Sequence, residues 1–458
     1  MSSIRITFKA AVLCLGCVCL VPGASAADQR DLQIVTNSKT VSGALRFDWP
    51  AVHVGTAEYP SGPTGVTVFH FPDRAQVAID YRGGGPGTVN APYVDLGYGL
   101  QELDSLVFAG GSWYGLEATT AVASAMKDDG LRDGDAFSAE ANIAMSIGSI
   151  IFDFGPRRLN EIYPDKRLAQ AAYRASEPGV FPLGATGAGR LAKSGGFFGC
   201  DAHSGQGGAF RQIGDLKVAA FTVVNSVGVI TDRSGNVQAC YSDPSWTFDA
   251  PLRATDLMNK KPAATGASSN TTISVVIINQ AMSHAELDRL AVQVHMSMAR
   301  AIQPFATIYD GDVLYAVTTN ELKKPIMAPP QLGVVASELM WDAVLSSVPD
   351  QPRLDSLPSR ALPQPDIAHM DGRYRFSDDA ELEISTNGTR VFAQSTDIRR
   401  VYQFPEQEPV ELEALSDGDY HLPGRYPLVL RFIDERTIAL NPGRWEQIGH
   451  RNKGANPQ

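Results

Sequence analysis

The chain has 458 residues, of which 44% are hydrophobic and 19% are charged. This balance is typical of a globular protein and excludes a disordered or collagen-like chain. The formal net charge of −11 and the absence of a Lys/Arg-rich run argue against a nucleic-acid-binding protein, whose binding face is basic. At roughly 150 residues per domain, the length predicts two or three domains.

Residues 1–26 have the pattern of a cleavable signal peptide. Arg5 and Lys9 precede an apolar run over 10–21, and the small residues Ala24-Ser25-Ala26 follow it. The run is shorter than the about 20 residues that a membrane-spanning helix needs. A lipoprotein signal is the alternative, because three cysteines lie in this segment, but no small-residue box precedes any of them. We therefore expect a soluble mature chain without a membrane span, periplasmic or secreted, that begins at Ala27.

Two cysteines remain in the expected mature chain, Cys200 and Cys240. In an oxidising compartment such a pair can form a disulfide. Two separate buried thiols are the alternative, because sequence spacing does not show whether the side chains meet.

Residues 27–348 have the composition of one large unit of helices and strands. Its β-branched apolar runs predict strands, several of them continuous, as in strands buried on both faces. These runs lie at 66–71, 75–81, 105–109, 218–225, 272–279 and 313–318. Helices are predicted over 115–127 and 284–301, and Ser283 with Glu286 forms a capping box at the start of the second.

The chain changes character after residue 348. Five prolines among polar residues predict a linker over 349–365. Residues 366–458 contain short strand candidates at 372–376, 381–385, 391–394, 400–404 and 428–433. Turn signals such as Asn387-Gly388 and Asp417-Gly418 separate several of them, which predicts a small, separate all-β module resembling a barrel.

Common cofactor and metal motifs are missing. The expected mature chain has no His-Glu-x-x-His, Cys-x-x-Cys or Gly-x-Ser-x-Gly sequence. The glycines at 83–87 miss the dinucleotide-binding pattern, and the segment 184–193 lacks the Gly-Lys-Ser/Thr of a phosphate loop. Residues 129–140 imitate a calcium loop, but Leu131 stands where an oxygen ligand is required. We therefore expect neither a metal nor a cofactor.

The segment that carries chemistry begins at Asn270-Thr271-Thr272, which opens an apolar strand over 273–278. A stretch of small residues over 262–269 precedes it and suits an exposed linker. Taken alone, this pattern indicates only a loop that enters a strand.

Several segments together resemble the self-processing L-aminopeptidase/D-Ala-esterase (DmpA-like) family, which includes β-peptidyl aminopeptidases and the nylon-oligomer endo-hydrolase. They follow the family's order over roughly residues 45–345 and leave the β module outside the resemblance. The matching segments are 62–68, 82–88, 110–118, 187–189 with Lys193, 223–228, 270–272, and 299–302 leading to 310–312.

The resemblance implies an N-terminal-nucleophile hydrolase that cleaves itself between Asn270 and Thr271. It also implies an α+β fold of the αββα sandwich type, two stacked sheets between helical layers, and a homo-oligomer of α/β heterodimers. Cleavage would free the α-amine of Thr271, with a typical pKa of about 7.7–8.0, so one residue would supply both nucleophile and base. The expected fragments are 27–270 and 271–458.

Four further residues take catalytic roles by resemblance. Lys193 would favour the neutral Thr271 amine, and Asn225 would donate to the developing oxyanion. Asp310 and Asp312 would orient that amine or receive a substrate amine. The alternatives are a solvated lysine, an asparagine that caps a turn, and an ordinary Asp-Gly turn.

Gly110, Gly111 and Ser112 are expected to shape a close turn or, together with Phe152, to line the pocket.

The chain departs from the aminopeptidase branch at three places. Its nucleophile is Thr271 where that branch has a serine, it has the paired aspartates Asp310 and Asp312, and it has Phe152 near the position of a tyrosine in that branch. These choices are closer to the nylon-oligomer branch. We therefore expect a hydrolase of small peptides or amides of aminopeptidase type, with amidase activity better supported than aminopeptidase specificity. An acyltransferase of the same fold and a non-catalytic binding protein are the alternatives.

Overall fold

The computed structural model describes residues 32–37, 43–59, 64–96, 101–132, 142–154, 162–200, 202–240, 252–259, 270–348, 367–377, 380–388, 390–397, 401, 404–414, 419–422, 429–440 and 447–452. The expected signal peptide, the linker over 349–365 and the stretch over 262–269 lie outside the described residues.

The helices of the region before residue 349 are α1 (Ala91–Asp95), α2 (Ser112–Gly115), α3 (Glu117–Asp128), α4 (Lys166–Arg174), α5 (Ala254–Met258), α6 (His284–Ser297) and α7 (Pro329–Ser346). Short 3₁₀ turns occupy Gly187–Gly189, Gly196–Phe198 and Met298–Arg300. The capping box that the sequence predicts at α6 is confirmed: Ser283 Oγ accepts from the N–H of Glu286 at 3.3 Å, and the Glu286 carboxylate accepts from the N–H of Ser283 at 2.9 Å.

The strands of the same region are β1 (Val35–Thr36), β2 (Ala44–Arg46), β3 (His53–Tyr59), β4 (Thr64–Tyr81), β5 (Thr88–Val89), β6 (Glu102–Ala109), β7 (Ser146–Ile150), β8 (Glu177–Pro178), β9 (Val180–Pro182), β10 (Lys193–Ser194), β11 (Ala202–His203), β12 (Gln206–Ile213), β13 (Leu216–Asn225), β14 (Val229–Ile230), β15 (Thr271–Gln280), β16 (Ile302–Gln303) and β17 (Val313–Leu322). The predicted strands at 66–71 and 75–81 are one continuous strand, β4. A register shift in its pairing with β6 between His70 and Ala75, and a positive φ of 61° at Arg74, absorb the polar residues between the two apolar runs.

One mixed sheet contains most of these strands. Among the described residues its order is β12-β13-β15-β17-β4-β6-β7-β5, with β3 beside β4. Strand β15 is antiparallel to β13 and parallel to β17, and it is buried over its whole length. This burial explains why its apolar run is continuous and does not alternate.

Three apolar clusters surround the sheet. The first joins β13, β15 and β17 to β4 and β6, and within it the Phe69 and Phe221 rings lie 5.2 Å apart. The second packs α6 and α7 on β13, β15 and β17, and the third packs α3 and α4 on β3, β4 and β6. The region is therefore an α+β structure in which helices cover strands, and no helix among its described residues is long and apolar enough to cross a membrane.

The last part of the chain forms a closed antiparallel barrel with an apolar interior. Its strands are β18 (Gly372–Ser377), β19 (Ala380–Asn387), β20 (Arg390–Ser395), β21 (Val410–Ala414), β22 (Tyr420–His421), β23 (Val429–Asp434), β24 (Thr437–Leu440) and β25 (Gln447–Arg451). The strand expected over 400–404 is wrong at the two residues that the structure describes there, because Val401 and Phe404 belong to no strand and the Phe404 N–H donates to the Val401 carbonyl at 3.1 Å.

Candidate active site

The pairing of β13 with β15 places Asn225, the last residue of β13, directly opposite Thr271, the first residue of β15. On the other side of β15, Asn270 bridges Asp310, just before the parallel pairing of β15 with β17 begins. Three chain segments therefore meet at the start of β15. Thr271 is only 4% exposed there, so its hydroxyl lies in a largely water-excluded position.

The carbonyl oxygen of the peptide bond between Asn270 and Thr271 accepts two hydrogen bonds. The Thr271 hydroxyl donates to it at 2.6 Å, and the backbone N–H of Gly311 donates at 2.8 Å. The hydroxyl oxygen is therefore next to the carbonyl group of its own peptide bond, and the Gly311 N–H polarises the same carbonyl.

Asp312 is completely buried and binds backbone N–H groups with both carboxylate oxygens. Its Oδ1 accepts from the N–H of Thr272 at 2.7 Å, and its Oδ2 accepts from the N–H of Ala306 at 3.0 Å. Burial, and the neighbouring Asp310 carboxylate, raise the pKa of Asp312 to about 8. Asp312 therefore contacts the residue after the expected nucleophile.

Asp310 joins the same segment to a third loop. Its Oδ1 accepts from the N–H of Val227 at 3.1 Å, and its Oδ2 accepts from the N–H and the hydroxyl of Thr307 at 3.0 and 2.7 Å. Burial raises the pKa of Asp310, against the lowering effect of these hydrogen bonds. The two aspartates thus bind N–H groups of four different residues, which an isolated Asp-Gly turn would not do.

Asn225 links Lys193 to Phe152. Its Oδ1 accepts from the backbone N–H of Lys193 at 3.0 Å, and its Nδ2 donates to the Phe152 carbonyl at 2.9 Å. An amide group carries two N–H bonds, and the contact with Phe152 uses one of them. Lys193 is 9% exposed, so it is not a solvated loop lysine. The half-buried Phe152 ring packs edge-on against Phe154.

The glycines at 83–85 pack against the segment that carries the aspartates. The N–H groups of Gly83 and Gly85 donate to the carbonyls of Asp312 and Asp310 at 3.2 and 3.0 Å. A Cβ atom on Gly83 would lie 2.2 Å from the Asp312 nitrogen, so this contact requires glycine. The segment that misses the dinucleotide motif therefore serves as backbone packing for the site.

Gly110, Gly111 and Ser112 form the close turn between β6 and α2. A Cβ on Gly110 would lie 2.4 Å from the Asp153 carboxylate, which accepts the Gly111 N–H at 2.8 Å and the Thr64 hydroxyl at 2.9 Å. The buried Asp153 follows Phe152 directly and fixes this turn beside it. Asp153 was not predicted from the sequence, where its signal is a single acidic residue at the end of the apolar run 150–152.

Glu58 is a second buried acid that sequence analysis missed. Its carboxylate accepts from the Thr186 hydroxyl at 2.6 Å and from the Gly187 N–H at 2.8 Å, and it pairs with Arg190 at 3.1 Å. These contacts hold the 3₁₀ turn that leads to Lys193. No local motif marks Glu58, because its partners lie far away in the sequence.

The structure joins Cys200 and Cys240 by a disulfide, with an S–S distance of 2.03 Å. Both residues are buried. The segment that leads to Cys200 is bonded to the loop after β13: Gly195 and Phe197 donate their N–H groups to the carbonyls of Gly228 and Val227 at 2.8 and 3.0 Å. The bridge therefore stabilises the loops on either side of Asn225.

A family comparison decides what kind of protein contains this site. The profile described as Peptidase family S58 matches residues 47–352, more than half of the chain. The chain belongs to peptidase family S58. This membership confirms the resemblance inferred from the motifs, and this S58 protein is a hydrolase of amide bonds.

Curated relatives of this S58 protein include enzymes from several bacteria. The 6-aminohexanoate-oligomer endohydrolase of Kocuria sp. is 40% identical over 340 residues, which cover 71% of this chain and 90% of the relative. A putative NylC-analogous protein of Agromyces sp. is 40% identical over 317 residues, which cover 66% of this chain and 99% of the relative. An uncharacterised aminopeptidase of Mycobacterium tuberculosis is 30% identical over 278 residues, which cover 60% of this chain and 77% of the relative.

Solved structures similar to this S58 chain include a Burkholderia sp. β-aminopeptidase, with a TM-score of 0.47 and 16% identity over 70% of this chain and 90% of that chain. The L-aminopeptidase D-Ala-esterase/amidase of Ochrobactrum anthropi has a TM-score of 0.46 and 16% identity over 65% of this chain and 83% of that chain.

Proposed function

We propose that the chain is an exported, self-processing hydrolase of amide bonds whose nucleophile is Thr271 after cleavage from Asn270. The observation that carries the proposal is the 2.6 Å contact between the Thr271 hydroxyl and the carbonyl oxygen of Asn270. This contact lies at the start of a buried strand, where the reacting groups are held in one geometry. Self-cleavage converts this internal threonine into an N-terminal one.

In the mature enzyme the freed α-amine of Thr271 takes the hydroxyl proton, and Oγ1 attacks the substrate carbonyl carbon. The second amide N–H of Asn225 donates to the oxyanion that forms, because the register places Asn225 opposite Thr271. The buried Lys193 favours the neutral, proton-accepting form of the amine.

Cleavage also changes the charge balance around the aspartates. In the precursor, burial keeps a proton on the Asp310–Asp312 pair because two close carboxylates cannot both ionise cheaply. A new neutral amine next to Thr272, whose N–H already binds Asp312, can donate a hydrogen bond to the carboxylate and so favours its ionised form. The pair then orients the amine of Thr271.

We infer an αββα sandwich for the hydrolase unit, residues 27–348, in which the two ends of the one mixed sheet, connected by the long strand β4, form the two β-layers. Three observations support it. One apolar cluster joins β13, β15 and β17 to β4 and β6, helices α6 and α7 cover the first of these two groups of strands, and helices α3 and α4 cover the second. The two fragments stay together in this arrangement because β15 and β17 of the second fragment pair with β13 and β4 of the first. The barrel, within residues 366–458, is a separate module in this proposal, joined by the 349–365 linker.

We also propose that the mature protein assembles into a homo-oligomer of such cleaved pairs. Trp113, at 81% exposure, and the half-exposed Tyr114 support this idea, because they lie beside the turn that Asp153 fixes near Phe152. Large exposed aromatic side chains are typical of interaction surfaces. Light scattering of the purified protein measures the assembly, and a particle with the mass of one cleaved pair contradicts it.

The substrates we propose are small peptides or linear oligoamides. The 40% identity to enzymes named as 6-aminohexanoate-oligomer endohydrolases supports the oligoamide class. Mass spectrometry of the products from an oligoamide of defined length separates stepwise release of terminal units from internal cleavage. Added amine acceptors in the same assay reveal any acyl transfer.

Intact-mass analysis of the purified protein tests the nucleophile. Wild-type protein should yield two fragments that meet between Asn270 and Thr271. Thr271→Val keeps the shape of the side chain but removes the hydroxyl, so it should stay in one piece and hydrolyse no substrate. Thr271→Ser restores a hydroxyl and should cleave again. Cleavage of Thr271→Val at the same bond would show that the nucleophile is another residue. The N-terminal mass also tests export, since a chain that begins at Ala27 fits signal-peptide removal.

A further inference from the structure

The backbone N–H of Gly311 is aimed at the bond that self-cleavage would break. It donates to the carbonyl oxygen of Asn270 at 2.8 Å, while the Thr271 hydroxyl approaches the same oxygen at 2.6 Å. The carbonyl carbon of Asn270 is the atom that Oγ1 must attack. Gly311 therefore touches the reacting group directly.

This N–H is held in place by the residues on both sides of it. Asp310 and Asp312 bind the N–H groups of Val227, Thr307, Thr272 and Ala306. In addition, the Asn270 N–H donates to the Tyr309 carbonyl at 3.0 Å, which fixes the scissile residue against the same segment. A donor held in this way needs no reorganisation when charge develops on its acceptor.

We propose that the backbone N–H of Gly311 stabilises the oxyanion of self-cleavage, an inference that rests on the proposed cleavage at Thr271. Oγ1 bonds to the Asn270 carbonyl carbon, and the negative charge forms on the oxygen that Gly311 contacts. The C–N bond then breaks, and the proton that Oγ1 gives up passes to the Thr271 nitrogen, the leaving group. Water hydrolyses the resulting ester, which leaves a carboxylate on Asn270 and restores the Thr271 hydroxyl.

Side-chain substitutions at Gly311 cannot test this role cleanly. A Cβ atom there would lie 2.6 Å from Thr271 Oγ1 and 2.7 Å from the Gly85 carbonyl oxygen, so it would displace the nucleophile as well. Replacing the amide of residue 311 with an ester replaces the N–H by an oxygen that cannot donate, without adding a side chain. It also weakens the Asp310 carbonyl as an acceptor of the Gly85 N–H at 3.0 Å, so the control must report the loss of that bond. Cell-free translation with a suppressor tRNA charged with glycolic acid introduces this change into the full chain.

Gly85 provides a matched control, because it is also a glycine and donates its N–H within the same loop cluster, to the Asp310 carbonyl at 3.0 Å. The ester at 311 should slow the appearance of the two fragments by about 100-fold, the effect of losing one oxyanion donor. The ester at 85 loses the packing bond to the Asp310 carbonyl but no donor to the Asn270 carbonyl, so it should slow cleavage far less than the ester at 311. Intact masses distinguish cleavage before Thr271 from chemical breakage of either ester.

Three results would overturn the proposal: wild-type cleavage rates in the 311 ester, equal slowing by both esters, or an uncleaved wild type. The last would also overturn the self-cleavage proposal, whereas the first two leave it standing. Hydrogen exchange on the intact Thr271→Val precursor is a second measurement that needs no ester protein. The Gly311 amide hydrogen should be strongly protected there, and exchange at the rate of an exposed amide would contradict the proposal.

Discussion

Replacing Glu58 with alanine should destabilise the precursor by about 3–5 kcal/mol, the cost of breaking a buried ion pair. The substitution leaves Arg190 without its carboxylate partner at 3.1 Å, and it also removes the acceptor for the Thr186 hydroxyl and the Gly187 N–H. Glu58→Gln keeps an acceptor oxygen for the last two groups, so it should cost less, about 1–3 kcal/mol.

Urea unfolding, followed by circular dichroism, measures these losses. The variants belong in the Thr271→Val background, because an uncleaved chain unfolds as one covalent piece. The double variant E58L/R190M removes both charges, so it should be more stable than E58A alone. A loss below about 1 kcal/mol for E58A, or a double variant no more stable than E58A, would refute the reasoning from a buried ion pair.

Three further predictions follow from the site. Asn225→Asp keeps the oxygen that accepts the Lys193 N–H but removes the amide donor, so kcat of the cleaved enzyme should fall about 100-fold. Steady-state assays measure kcat, and an unchanged value would exclude Asn225 as the oxyanion donor. Burial raises the pKa of Asp312 to about 8, so the unfolded chain releases this proton at lower pH than the folded precursor does. Stability of the Thr271→Val precursor should therefore fall as pH rises from about 4 through about 8, and Asp312→Asn should flatten that fall in urea titrations. Replacing both Cys200 and Cys240 with serine opens a link across 40 residues and should cost about 4 kcal/mol; equal urea midpoints would contradict this.

The sequence predicted the elements that carry a strong local pattern. The continuous apolar run of β15 and the capping box of α6 each express one physical requirement within a few neighbouring residues. The family motifs led to Thr271, Asn225, Lys193 and the two aspartates, and the structure brings their backbones together at the start of β15. Their catalytic roles remain predictions.

The strands β3 and β12 had no such signal, for a physical reason. Each carries a glycine where a helix approaches closely. A Cβ on Gly55 would lie 2.0 Å from the Ala172 carbonyl of α4, and one on Gly207 would lie 1.9 Å from the Ala343 carbonyl of α7. Glycine weakens the strand pattern, and only the three-dimensional packing shows why it is needed.

Buried charges were equally hard to predict. Glu58 and Asp153 bind partners that lie from 42 to 132 residues away along the chain, so no spacing rule connects them. The Gly311 N–H is a main-chain group, and its position depends on the parallel alignment of β15 with β17. Residue types alone could not show that alignment.

The position of Thr271 in the sheet affects what a new chain end can do. Chain ends usually fray and sample many conformations. Here the end created by cleavage would be the first residue of β15, with a hydrogen-bonded strand on each side and a carboxylate bound to the next amide. The orientation of this chain end would therefore be set when the protein folds, before substrate binds. Thr271 would then lose little conformational entropy when the reaction begins.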